Sequence, residues 1–182
     1  MFGHGIFSNA ASTACAGALH SPRVSPGTLC SVMVTVSLIP HPSVAAPGID
    51  ALRVSVRSPA PRWYLLGYQV EGDIDRLQIP PKAPSRQTDE LWKRTCFEAF
   101  VGAAGRDDYV ELNFSPSTQW AAYGFEAPRQ GMRALALPRA PAIVCTVGSG
   151  RLDVDVEVHM ELPPALRGLP PRLGLSAVIQ DR

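Results

Sequence analysis

The chain has 182 residues, of which 46% are hydrophobic and 18% are charged, and its formal net charge is +1 at pH 7. This length suits one domain with a proper core, and a near-neutral chain without a basic face argues against a nucleic-acid partner. No apolar run approaches the ~20 residues needed to cross a bilayer, so we expect no membrane partner either.

Prolines and glycines punctuate the chain throughout, with 18 and 15 copies respectively. This spacing leaves little room for long helices and favours short strands joined by turns. The four cysteines form no C-x-x-C pair and have no histidine at ligand spacing, so we expect no zinc site. We expect no other metal and no cofactor either. Cys96 and Cys145 lie in apolar stretches and are predicted to be buried thiols. Such thiols suit a reducing compartment, which favours the cytoplasm, with secretion as the alternative.

Residues 1–32 differ in composition from everything that follows. They contain one charged residue, Arg23, and are rich in alanine, serine, glycine and proline without any period. They lack the basic start and the continuous apolar core of a signal peptide, so we predict a disordered leader. Met33 begins the first strand-like run, which suggests that it is the true start and that the leader is not made. The intact mass of natively expressed protein tests this hypothesis.

From Met33 onward the chain alternates apolar and polar residues, with breaks at turn residues, as strands do. Gly148-Ser149-Gly150 predicts a three- to four-residue hairpin loop. The predicted strands outside the central segment are residues 33–39, 52–56, 63–70, 77–79, 109–114, 143–147, 152–162 and 173–179. With one more central strand these are about nine, which is typical of an antiparallel sandwich or barrel. The predicted domain is residues 33–182.

The segment from Asp89 to Ala104 has two interpretations. At helical spacing an apolar face forms, with Thr88 as a candidate N-cap. As a strand, Phe97 and its alternate neighbours face one side while Glu98 faces the other. The residues of the helical face are Leu91, Trp92, Thr95, Cys96, Ala99, Phe100 and Ala103. We favour the strand, because a hairpin with the alternating run 109–114 brings Glu98 beside Glu111 and Asn113.

Aromatic residues lie close in sequence to these polar groups. The candidate ligand-binding residues are Trp92, Glu98, Glu111, Asn113, Trp120 and Tyr123. Aromatic rings beside fixed carboxylates and amides suit a sugar, because its C–H face packs on a ring while its hydroxyls hydrogen-bond to the oxygens. The structural alternative is that the tryptophans fill the core and that the polar residues mark a solvated sheet face.

The stretch LWKRTCFEAFVGAAGRDDYVELNFSPSTQWAAYGF resembles the bacterial DOMON-like proteins, which are similar to family nine carbohydrate-binding modules. The resemblance extends over roughly residues 33–182 and implies an all-β, jelly-roll or immunoglobulin-like sandwich with a ligand site on one sheet face. Sugar and haem are the ligand classes that it implies. In that family the chain continues beyond the equivalent of Val178-Ile179 into another strand. Because this chain ends at Arg182, the resemblance implies a domain that lacks its last strand and has an unpaired edge.

We therefore expect a non-catalytic carbohydrate-binding module whose ligand is unassigned. One alternative is a haem-binding electron-transfer domain, with axial ligands drawn from Met33, His41, Met132, His159 and Met160. Another is a structural or interaction domain without a small ligand. Calcium at the carboxylates fits no recognised loop spacing. An enzyme is not expected, since the chain has no Ser-His-Asp, P-loop or dinucleotide motif and the pair Glu98 and Glu111 shows no means of separating its pKa values.

Overall fold

The computed structural model describes residues 4–8, 33–42 and 48–182, and of residues 4–8 it describes the backbone alone. The strands are β1 His4–Ser8, β2 Val34–Pro40, β3 Ile49–Ala60, β4 Trp63–Gly72, β5 Cys96–Ala103, β6 Tyr109–Phe114, β7 Trp120–Phe125, β8 Arg133–Ala134, β9 Ala142–Gly148, β10 Arg151–His159 and β11 Pro171–Gln180. Three short 3₁₀ helices complete the described elements, at Ile74–Arg76, Leu91–Lys93 and Pro164–Leu166.

The strands form two five-stranded antiparallel sheets. The first sheet has the order β8-β7-β6-β5-β11 and the second sheet has the order β2-β3-β4-β10-β9. One core is built from the inner faces of both, with Phe97 and Leu112 from the first sheet packed with Val54 and Leu152 from the second. The all-β sandwich predicted from the sequence is therefore confirmed.

Period-two alternation produces this core, most clearly along β10. Leu152, Val154, Val156 and Val158 are all buried there, and the acidic residues between them lie on the opposite face. The β9–β10 hairpin closes through Ser149 and Gly150, because Gly148 already pairs with Arg151. This is a two-residue loop with Gly150 at φ 70°, shorter than the predicted loop of three to four residues.

The central segment is extended, so the helical interpretation of it is wrong. Cys96–Ala103 form β5, and helical geometry is confined to Leu91–Lys93. Both faces of β5 are covered, with Phe97 fully buried on the inner face and Cys96 fully buried on the outer one. Burial on both faces removes the clean alternation that identifies a strand, because apolar residues then occupy consecutive positions.

The strand β1 lies between the two sheets and joins them. Its residues pair with β11 from His4↔Gln180 to Ser8↔Ser176 and with β2 at Phe7↔Pro40 and Ser8↔Ile39. Residues 4–8 thus pair with a strand of each sheet although they lie within the predicted leader, and the disorder of the leader as a whole stays a prediction. β11 is paired with β5 on its other side, so it does not leave the unpaired edge expected from a missing last strand. The predictions for residues 1–3 and 9–32 lie outside the described residues, and Met33 as the true start stays a prediction.

Candidate functional site

The outer face of the first sheet carries a cleft of about 650 Å³. It forms because β5, β6, β7 and β11 place their alternate residues away from the core, while Leu91–Lys93 and the loop between β7 and β8 lie over this face. We call it the outer cleft, and its lining residues are Trp92, Glu98, Phe100, Tyr109, Glu111, Phe125, Arg129, Met132 and Val178.

Two carboxylates lie in the floor of the outer cleft. Glu98 on β5 is opposite Asn113 on β6, and Glu111 is opposite Phe100, so the two glutamates are diagonal neighbours on one face. Glu98 is 7% exposed and accepts a hydrogen bond from the hydroxyl of Ser176, which is opposite it on β11. Burial first, and the charge of Glu111 second, raise the pKa of the Glu98 carboxyl to about 7, although the bond from Ser176 acts against them.

Glu111 is less deeply buried and has a different partner. Burial raises its pKa, and a hydrogen bond from Asn113 opposes that rise. The Asn113 side chain is fully buried, and its Nδ2 donates to Glu111 Oε1 over 2.8 Å. The thiol of Cys96 donates to Asn113 Oδ1 over 3.6 Å, which fixes the orientation of the amide. Asn113 therefore positions Glu111 and does not itself line the cleft.

Aromatic rings form the walls of the cleft. Tyr109 on β6 stacks on Phe125 of β7, with ring centroids 4.7 Å apart and planes 6° from parallel. Phe100 lies 6.1 Å from Tyr109 on the other side. Trp92, which is half-buried, meets Tyr123 edge to face at 5.6 Å. These contacts hold the rings in place before any ligand arrives.

Tyr123 packs against Trp92 and supports this wall of the cleft. The Tyr123 ring is buried, and its hydroxyl donates to Asp89 and accepts from the backbone N–H of Glu90. Burial, together with the hydrogen bond to Asp89 and the charge of that residue, raises the pKa of Tyr123. Tyr123, like Asn113, supports the cleft without lining it.

The loop after β7 completes the rim. The backbone N–H of Arg129 donates to the Tyr109 hydroxyl, and the Arg129 side chain reaches the cleft. Met132 is 47% exposed at the same rim. Arg129 has φ 63°, the left-handed region that an arginine seldom adopts, so the tight turn across Ala127↔Gln130 sets its direction.

Trp120 is the predicted site residue that the structure places elsewhere. It begins β7, but its ring lies on the inner face, 7% exposed, within the shared core. The prediction that Trp120 offers a stacking face beside the glutamates is therefore wrong. Trp120 pairs with Phe114, whose side chain faces the core, so Trp120 faces the core as well. Tyr123, three positions later, faces the outer side. The other five predicted residues lie together on the outer face.

The predicted ligand-binding residues did not include six that line the cleft, namely Phe100, Tyr109, Phe125, Val178, Arg129 and Met132, of which Met132 was considered only as a haem ligand. The alternation that pointed to Glu98 and Glu111 could have found the first two, because Phe100 follows Glu98 and Tyr109 precedes Glu111 by two positions. The positions of Phe125 and Val178 in the cleft depend on strand pairing. Tyr109↔Phe125 joins β6 to β7, whose register the sequence does not define, and Cys96↔Val178 joins β5 to β11, which are far apart along the chain.

Comparisons of the chain with protein-family models, curated proteins and solved structures found no match. The resemblance to DOMON-like proteins therefore stays a prediction. Within the part of the chain that the structure describes, no helix has the length and apolar character to span a membrane. In that same part, no group of three or more histidine, cysteine, aspartate or glutamate residues is arranged to hold a metal ion.

Proposed function

We propose that the protein is a non-catalytic carbohydrate-binding module whose ligand occupies the outer cleft. The observation that supports this most is the combination, in one cleft, of aromatic walls with two carboxylates held by hydrogen bonds from Ser176 and Asn113. A sugar ring has apolar C–H faces and a rim of hydroxyls, which match these two kinds of surface.

The site is organised in advance of binding. Glu111 is fixed through Asn113 and Cys96, and Trp92 through Tyr123 and Asp89. Side chains that are already ordered lose little conformational entropy when a ligand binds, so more of the contact energy appears as affinity. Trp92 is a half-buried wall outside the main core, so a ring-stacking contact can be removed there without opening that core.

The test is a glycan array that includes cell-wall fragments, followed by titration calorimetry on each hit. We expect Trp92→Ala to weaken binding about tenfold or more, because a stacked aromatic in a binding site contributes on the order of 2 kcal/mol. Trp120→Phe is the matched control, since it changes a tryptophan of the same sheet that faces the core. Binding of nothing by the wild type, or equal binding by Trp92→Ala, would overturn the proposal.

Haem binding is the second candidate function, and the position of Met132 in the outer cleft is the observation that favours it. Among the ligands considered, Met132 is the one that lines the outer cleft. His159 stacks on Trp63 in the second sheet, and Met160 is buried in the core. Haemin added to the purified protein should then give a Soret band that Met132→Ala alters. An unchanged free-haemin spectrum would dismiss this candidate.

A further inference from the structure

The two carboxylates of the outer cleft have no basic partner. Within the described part of the chain, neither Glu98 nor Glu111 has an arginine, lysine or histidine nitrogen within 4.0 Å, although the half-buried acids Glu71 and Glu157 do. The hydrogen bonds from Ser176 and Asn113 come from neutral groups. A buried carboxylate without a counter-charge is costly in its ionised form, so a cationic ligand that pairs with the ionised glutamates would be stabilised in this cleft.

The spacing of the two acids suits one small cation. Diagonal neighbours on adjacent antiparallel strands have Cβ atoms about 7 Å apart or less, so a single ammonium group fits between the two carboxylates. The surrounding rings favour the same ligand, because the aromatic face attracts a cation that lies within about 6 Å of it. Phe100, Tyr109 and Trp92 supply such rings around the glutamates.

We infer that the ligand of the outer cleft carries a protonated amine, held between Glu98 and Glu111, so that the preferred sugar is an amino sugar with a free ammonium group. The inference rests on the proposed function, because it names the chemical class of the sugar for the same cleft. It distinguishes a glucosamine unit from its N-acetylated and neutral counterparts, which lack the positive charge.

The other charged and titratable groups around Glu98 do not compensate it. Cys96 stays a neutral thiol, because burial raises its pKa well above the ordinary range, and Tyr68 on the second sheet stays a neutral phenol for the same reason. Tyr109 also has a raised pKa. Arg129 is exposed at the rim and approaches the Tyr109 hydroxyl, beyond ion-pair distance from both acids. The groups that face Glu98 are thus Glu111, Cys96, Tyr68, Tyr109, Ser176 and Arg129.

Binding of an ammonium group must then release a proton. The raised pKa of Glu98 keeps part of its population protonated near and below neutral pH. The ammonium favours the ionised form, so Glu98 loses that proton on binding. A neutral sugar has no such effect and leaves the proton in place.

The experiment compares two matched sets of ligands by titration calorimetry at about pH 6, where an amine is protonated. The first set is the glucosamine, N-acetylglucosamine and glucose β-1,4 oligomers of one length. The second set is cyclohexylamine and cyclohexanol, which differ in the charge but contain no sugar. Repeating the titrations in buffers of different ionisation enthalpy measures the protons released.

We expect the glucosamine oligomer to bind about tenfold or more tightly than both neutral oligomers and to release protons, whereas the neutral oligomers release none. Glu98→Gln and Glu111→Gln should each remove most of this preference, while the exposed-loop control Glu126→Gln keeps it.

Neutral oligomers that bind as tightly as the glucosamine oligomer would overturn the inference and leave the proposed function intact. Preference for cyclohexylamine without any sugar binding would overturn the proposed function, and with it the amino-sugar assignment. No binding in either set would overturn both.

Discussion

Glu98 carries a carboxyl group almost fully removed from water, and its neighbours disfavour its charged form. Its pKa of about 7 lies above the ordinary glutamate value of 4.5, so between these two values the folded protein holds a proton that the unfolded chain has largely lost. The contribution of Glu98 to the free energy of unfolding is therefore most favourable below about pH 4.5, where the carboxyl is protonated in both states. This contribution decreases as the pH rises from 4.5 and is lost once the pH has passed 7. Glu111 contributes in the same direction to a smaller extent.

Glu98→Gln should remove this pH dependence. The amide keeps the shape and an acceptor for Ser176 but cannot ionise, so at pH 8 we expect the free energy of unfolding to exceed that of the wild type by about 3 kcal/mol. Near pH 4.5 the two proteins should be nearly equal in stability. Urea denaturation at a series of pH values measures this difference, with the exposed Glu126→Gln as the control. If the difference in the free energy of unfolding between the two proteins stays constant from about pH 5 to pH 8, the pKa of Glu98 is not raised by burial.

At the scale of elements, the turn at the end of β4 shows where backbone geometry dictates the residue. Gly72 has φ 145°, and a Cβ placed on it would lie 2.0 Å from the carbonyl oxygen of Gly48. That oxygen is already the acceptor for the N–H of Asp73, at 2.7 Å. The register of β3 against β4 shifts just beyond this point, between Ile49 and Ala51, so the close approach begins the pairing of these two strands.

Gly72→Ala should therefore be among the costlier glycine substitutions in this chain. We expect it to lower the free energy of unfolding by about 3 kcal/mol or more, because both the φ angle and the contact with a backbone atom are unfavourable. Gly105→Ala is the matched control: Gly105 also has positive φ, at 73°, but nothing lies within 4 Å of its added Cβ. That variant should lose only about 1 kcal/mol. Equal losses in chemical denaturation would show that the contact with Gly48 does not matter.

At the scale of the whole molecule, the sequence predicted what depends on local alternation and missed what depends on distant pairing. β10 and β6 followed directly from their period of two, and the shared face of Glu98 and Glu111 followed from one short hairpin. The insertion of β1 between β11 and β2 could not be predicted, because residues 4–8 meet partners more than thirty positions away and carry no charge pattern. The face of Trp120 was missed for a related reason: β7 is buried throughout, so its sequence has no polar side.

The two sheets are tied together by a contact that no local pattern indicates. Tyr68, on the inner face of the second sheet, is 1% exposed and donates its hydroxyl to the backbone carbonyl of Glu98 over 2.8 Å. Its ring also packs on Phe97 with centroids 5.0 Å apart. This hydrogen bond crosses the core and ends on the strand that carries the outer cleft, so it links the position of Glu98 to the opposite sheet.

Tyr68→Phe should lower the free energy of unfolding of the entire domain. The ring packing is retained, and the loss of a buried hydrogen bond to a carbonyl costs about 1–2 kcal/mol. Because the sheets share one core, tryptophan fluorescence and far-ultraviolet circular dichroism should report the same urea midpoint, shifted together. Tyr64→Phe on the same strand is the control, since burial alone perturbs the pKa of the Tyr64 hydroxyl and no hydrogen bond to it is formed within the described residues. It should change stability by less than about 0.5 kcal/mol. Midpoints that separate between the two probes, or equal losses in the two variants, would mean that the sheets do not depend on each other through Tyr68.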